Sequence, residues 1–126
     1  MSTAKSWFEK SAQDLRMAKG LFEMDTSFKE GSVFLCQQSI EKALKGFLVF
    51  HKVRVVKTHD LVELSEQALN IKSDLKTLGQ DMELFTEYAV SYRYPDAAKA
   101  ALTSDDVKHT LTRSQELYDE LVKCVG

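Results

Sequence analysis

Apolar residues recur along most of the chain at three- and four-residue steps, the spacing of one helix face. Between Thr3 and Met24 the face is marked by Phe8, Ala12, Leu15, Ala18 and Phe22. The Asp25-Thr26-Ser27 cluster breaks that pattern, and Ser27 with Glu30 has capping-box spacing for a second helix running to His51. Val33, Gln37, Ile40, Leu44, Phe47, Leu48 and His51 fall on one side of it, and Gln38, Glu41, Lys42, Lys45 and Lys52 on another. Phe34, Leu35, Ala43 and Phe50 widen its apolar surface, so the second helix is predicted to be central. His51, on the apolar side, is expected to be buried.

Lys52 to Lys57 carries three valines but is too short and isolated to build a sheet, and reads as a loop. Thr58 is placed as the cap of a third, short helix ending near Asn70, with Asp60 in its first turn and Leu61, Leu64 and Ala68 inside. Ser73 or Asp74 caps a fourth helix, whose seam is Leu75, Leu78, Met82, Phe85, Ala89 and Tyr92. Tyr94-Pro95 ends it, because the residue before proline disfavours helical geometry. Thr103 and Asp106 cap the last helix, which turns Val107, Leu111, Ser114, Leu117, Leu121 and Cys124 inward. Short connections force sequential helices antiparallel. The expected fold is all-α: an up-and-down four-helix bundle with an additional short helix, one domain over residues 1–126.

Composition narrows the classes of function. With 44% hydrophobic and 29% charged residues and a single proline, the chain is globular rather than disordered. A net charge of −2 gives no global pull toward nucleic acid or anionic lipid. Its distribution says more: Lys42, Lys45, Lys52, Arg54 and Lys57 lie between Lys42 and His59 with no acid among them. Such a region can hold phosphate, and lysines that merely suit a helix C-terminus would read the same way. Cys36 and Cys124 lack CxxC spacing and are expected as reduced, mostly buried thiols. No apolar run has the length of a membrane span and the first residues do not resemble a signal peptide, so the expected compartment is the cytoplasm.

There is no glycine-rich phosphate loop, no GxSxG and no Glu-x-x-His. Asp106 and His109 are spaced as one half of a helical metal site but stand alone, so neither metal nor cofactor is expected. Three segments carry chemistry. In Gln37-Gln38-Ser39-Ile40-Glu41-Lys42-Ala43-Leu44-Lys45, Gln37 falls on the apolar side, where its amide needs partners, and Glu41 and Lys45 are an i,i+4 pair. Lys57-Thr58-His59-Asp60-Leu61 is a helix start able to hold an anion, or simply to cap. Tyr88, Tyr92, Arg93, Tyr94, Pro95 and Asp96 set one arginine among tyrosines, a stacking and phosphate-binding group, or an Arg93–Asp96 pair closing a helix.

The order of Trp7, Asp14-Leu15 with Ala18, Gln-Gln-x-x-Glu-Lys-Ala-Leu-Lys, Lys-Thr-His-Asp-Leu and Arg-Tyr-Pro-Asp resembles the prokaryotic HEPN domain over nearly the whole chain. The resemblance implies a helical bundle that dimerises and binds nucleotide or nucleic acid. It also implies pairing with a minimal nucleotidyltransferase in a two-gene, toxin–antitoxin-type system. Lys42, Lys45, Lys57, His59, Arg93, Tyr94 and Asp96 are the expected phosphate-binding set. HEPN ribonucleases carry arginine followed by histidine after four to six residues, near the start of the last long helix. After Arg93 this sequence has no such histidine. Arg54 and His59 have the spacing but sit in the loop after the second helix, and His109 is too far along the chain. The resemblance therefore favours a binding module over an enzyme, with Arg54, His59 and His109 the residual catalytic candidates. The alternatives are a metal-independent endoribonuclease, with arginine on the phosphate and histidine moving the proton, and a purely structural oligomerisation domain.

Overall fold

A computed structural model describes residues 3–55, 57–75, 78–79, 82–83, 85–86 and 102–125. Four helices occupy most of these residues: α1 (Ala4–Met24), α2 (Lys29–Phe50), α3 (Leu61–Ile71) and α4 (Ser104–Lys123). There is no strand among the described residues, and the fold is the expected all-α bundle. No helix described is long and apolar enough to cross a membrane. The predicted helix over 74–93 is described only in part. Met82, Glu83, Phe85 and Thr86 are helical, and Leu75, Leu78, Met82 and Phe85 are buried as its seam requires. Ser73 and Asp74 do not start it. They lie in a turn, and Gly79, with φ 97°, adopts a left-handed conformation that ordinary helix does not contain.

Helix α2 is central as its apolar girth predicts, touching α1, α3 and α4. Its contact with α1 is built from small residues seven apart: Ser32, Ser39 and Gly46. Ser32 Oγ donates to the Ala18 carbonyl at 2.9 Å. Ser11 and Ser39 bond reciprocally, each hydroxyl donating to the other's carbonyl, at 2.7 and 2.9 Å. These pairings run in opposite directions along the two helices, so α1 and α2 are antiparallel. On its other sides α2 turns Ile40, Leu44, Phe47 and Leu48 into a core completed by Leu61, Leu64, Leu117 and Leu121. Cys36 is buried, and burial pushes its thiol up to about 12 against the opposing hydrogen bond from Ser114.

The helix ends follow local chemistry, with three corrections to the expected caps. Thr3–Ser6 and Thr103–Asp106 form complete capping boxes. The Ser27–Glu30 box does not form: the Ser27 N–H is taken by Asp25 Oδ1 at 2.8 Å, and α2 begins at an uncapped Phe28. Asp60, not Thr58, caps α3, accepting from the Val62 and Glu63 N–H groups, while Thr58 Oγ1 receives the Asp60 N–H. His51 is exposed, because α2 stops one residue earlier than its periodicity suggests. Lys52 enters the left-handed region (φ 61°), and Val53 N–H returns to the Leu48 carbonyl at 2.9 Å, closing a Schellman turn.

Two substitutions test these contacts. At Gly46 an added Cβ would lie 3.0 Å from two Phe8 ring carbons and 3.1 Å from Trp7 Cβ. Alanine favours helix by about 1 kcal/mol over glycine, but overpacking costs about 1–3 kcal/mol. Phe8 has little room to yield, since it packs edge-on against Tyr118. Gly46→Ala is therefore expected to destabilise by about 1 kcal/mol, read as a lower midpoint in urea. Lys52→Gly should act oppositely. Relief of the left-handed strain, partly offset by glycine's greater chain entropy, should stabilise by a few tenths to about 1 kcal/mol in the same titration.

Candidate functional site

The polar residues of α2 converge near its C-terminal half on one buried carboxylate. Glu41 is only 3% exposed, yet it has three side-chain partners. Lys45, one turn on and 7% exposed, places Nζ 3.1 Å from Glu41 Oε2. Gln37, one turn back and 2% exposed, donates to Glu41 Oε1 at 3.4 Å and accepts from Gln38 at 2.7 Å. His59, delivered by the loop before α3, sets Nδ1 3.1 and 3.0 Å from the two Glu41 oxygens. The spacing of Gln37, Glu41 and Lys45 puts all three on one face, where each partially satisfies the next. A buried carboxylate needs such partners to offset its desolvation.

Trp7 of α1 closes one side. Lys45 Nζ stands 5.6 Å from the centre of its ring, and Trp7 Nε1 is buried with no hydrogen-bond partner among the described residues. One turn from Lys45, Lys42 reaches across to α1 and pairs with buried Asp14 at 2.5 Å. The His59 side chain remains 69% exposed although Nδ1 is engaged. A carboxylate only accepts, so Nδ1 is the donor in this contact, and in the neutral imidazole the lone pair falls on Nε2.

The expected site residues thus separate into groups. Lys42 and Lys45 are committed to Asp14 and Glu41 inside the bundle. Lys52, Arg54 and Lys57 are exposed along the α2–α3 loop, and His59 lies beside them on Glu41. Arg93, Tyr94 and Asp96 lie outside the described residues. His109 is exposed on α4, and Asp106 is occupied as the capping partner of Thr103. No group of three metal-ligating side chains occurs among the described residues. Sequence reasoning missed the roles of Asp14, Trp7 and, above all, the Glu41–His59 contact. The two partners are eighteen residues apart and joined by a turn whose geometry rests on Lys52. The one available signal was the clustering of Gln37, Glu41 and Lys45 at four-residue steps.

An antiparallel helical bundle with a charged network inside its central helix is the class these features define. The HEPN domain model matches residues 4–125, and the chain belongs to the HEPN family. Among solved structures it is similar to TT1696 from Thermus thermophilus, at 25% identity and TM-score 0.82, with 98% of each chain covered. It shares its fold with ST0689, an archaeal HEPN homologue, at 22% identity and TM-score 0.75 over the full length of both chains. No curated protein matches.

The two ion pairs of α2 should differ sharply in weight. Removing Glu41 strands Lys45 in the interior, and breaking a buried pair costs about 3–5 kcal/mol. The side chain of Lys42 is 26% exposed and finds water when it is released, so this pair is worth about 1 kcal/mol at most. Glu41→Ala is expected to lower the urea midpoint several-fold more than Asp14→Asn. Equal losses would show that Lys45 escapes to solvent once its partner is gone.

Proposed function

We propose that this HEPN protein is a homodimeric module that binds RNA or nucleotide phosphates and partners a minimal nucleotidyltransferase in a toxin–antitoxin-type pair. The observation that carries the reading is the α2–α3 loop. Lys52, Arg54 and Lys57 are all exposed there, beside His59, with no acidic residue between Glu41 and Asp60. Asp60 itself is turned to the α3 amides it caps. Cations on one short loop above an acidic protein make a local phosphate footprint without overall nucleic-acid affinity. Lys45 serves this surface from behind, by holding the Glu41 carboxylate on which His59 rests, whereas Lys42 is paired with Asp14. Arg93, Tyr94 and Asp96 enter the reading from their sequence pattern.

Fluorescence anisotropy with single-stranded RNA tests it. Affinity should fall with salt, and the triple variant Lys52→Ala, Arg54→Ala, Lys57→Ala should reduce the logarithmic salt slope by about 2, near the ~0.7 per phosphate contact of single strands. Wild-type protein that fails to bind RNA or nucleotide, or a variant with an unchanged slope, defeats the reading.

One observation favours the endoribonuclease alternative: Glu41 orients the imidazole of His59, and Arg54 precedes it by the family's spacing. A binding module leaves RNA intact in EDTA. Cleavage that disappears in His59→Ala would move the function to this second reading.

A further inference from the structure

The Glu41–His59 contact has the form of an activated nucleophile: a reactive group held in one tautomer by a third residue that is itself immobilised. Both Glu41 oxygens lie within 3.1 Å of His59 Nδ1. Glu41 is fixed from behind by Lys45 and Gln37, so the carboxylate has little freedom to turn away. A carboxylate on Nδ1 fixes the orientation of the ring and the tautomer of its neutral form. Nε2 belongs to a side chain that is 69% open to solvent, and so is reachable by a second molecule. The surroundings select what kind of molecule. Lys52, Arg54 and Lys57 are exposed on the same loop and draw an anion toward the ring. The exposed acid next to the ring in sequence, Asp60, spends its carboxylate on two backbone N–H groups.

We propose that His59 is a phosphoryl-acceptor site, modified at Nε2 by a donor of the phosphoramidate class. The Nε2 lone pair attacks the phosphorus of a donor whose nitrogen is already protonated, a nitrogen–phosphorus bond forms, and the donor's own phosphorus–nitrogen bond breaks with the electron pair departing on a neutral amine. The ring gains one positive charge. Its Nδ1–H then faces the Glu41 carboxylate, which balances that charge where it arises. Glu41 is a positioning residue in this step, and Lys45 and Gln37 position Glu41. The inference rests on the geometry of the Glu41–His59 pair and not on RNA binding, so each stands or falls separately.

His51 supplies an internal control. It is exposed like His59, but its ring packs against Phe47 at 4.5 Å and Phe50 at 5.1 Å, and no carboxylate among the described residues holds either nitrogen. Full-length protein is incubated with inorganic phosphoramidate, from which ammonia is the leaving group, and phosphoryl occupancy at each histidine is read by alkaline-stable peptide mass spectrometry. His59 should be modified on the order of tenfold faster than His51, the scale at which an orienting carboxylate matters. In the double variant Glu41→Gln, Lys45→Gln, which leaves no buried charge stranded, that ratio should fall toward one while His51 labels as before. Equal rates at the two histidines in wild type, or a ratio the double variant leaves unchanged, overturn the proposal. Should the variant unfold, ¹⁵N NMR of the wild type decides. Neutral His59 must hold its proton on Nδ1, and a ring protonated on Nε2 overturns the proposal equally.

Discussion

Helices α1 and α2 meet where there is almost nothing between their backbones. At Gly46 a hydrogen atom occupies the space that a Cβ would fill against Phe8 and Trp7. At Ser39 and Ser32 the gap is closed by hydroxyls that bond directly to the opposing main chain. Close approach removes the room in which side chains would otherwise adjust, so the rest of the bundle is arranged around it. Trp7 is brought over Lys45, and Asp14 is brought within reach of Lys42, only because α1 runs this near to α2. The charged network is therefore a product of the packing at small residues, and the two belong to one design.

The network is polar in a place where leucine would cost less. Gln37, Glu41 and Lys45 lie on the same helix as Ile40, Leu44 and Phe47, each buried to a similar extent. An ion pair in such surroundings contributes little net stability compared with apolar packing. What it provides is orientation. Glu41 has one side facing Lys45 and Gln37 and another facing His59, so the interior of the bundle determines how an exposed ring is presented. Charge on the loop surface and charge in the core thus differ in setting: the first is open to solvent, the second holds one ring in place.

The sequence made the bundle legible because its signals are local. Phe8, Leu15, Ala18 and Phe22 repeat on α1, and Thr103 with Asp106 marks the first turn of α4, so periodicity and capping suffice there. It misled where two local options competed. Ser27 had the spacing of a cap, but Asp25, two residues earlier, bound its N–H first. Thr58 and Asp60 both suit a cap, and the later residue took the position. His51 continued the apolar stripe in periodicity but followed a helix that had already ended, since a lysine rather than the usual glycine adopted the left-handed turn. The site was legible as a set of residue types and illegible as a constellation. Nothing local links Glu41 to His59 or Lys42 to Asp14, and such pairings exist only once the helices are docked.

Ser32, Ser39 and Gly46 share a seven-residue spacing, yet only the last lacks a side chain. Together they act as a keyway. Two neighbouring slots are partly filled, and a single open one admits the Trp7–Phe8 end of α1. Sliding α1 by two turns, about 10 Å, would press Phe8 onto the Ser39 hydroxyl and part its bond with Ser11. Alignment of the two longest described helices is thus guarded by one missing methyl group. A glycine at position 39 would cut a second slot, leaving the bonds and ion pairs made at Ser32, Lys42 and Lys45 to hold the alignment.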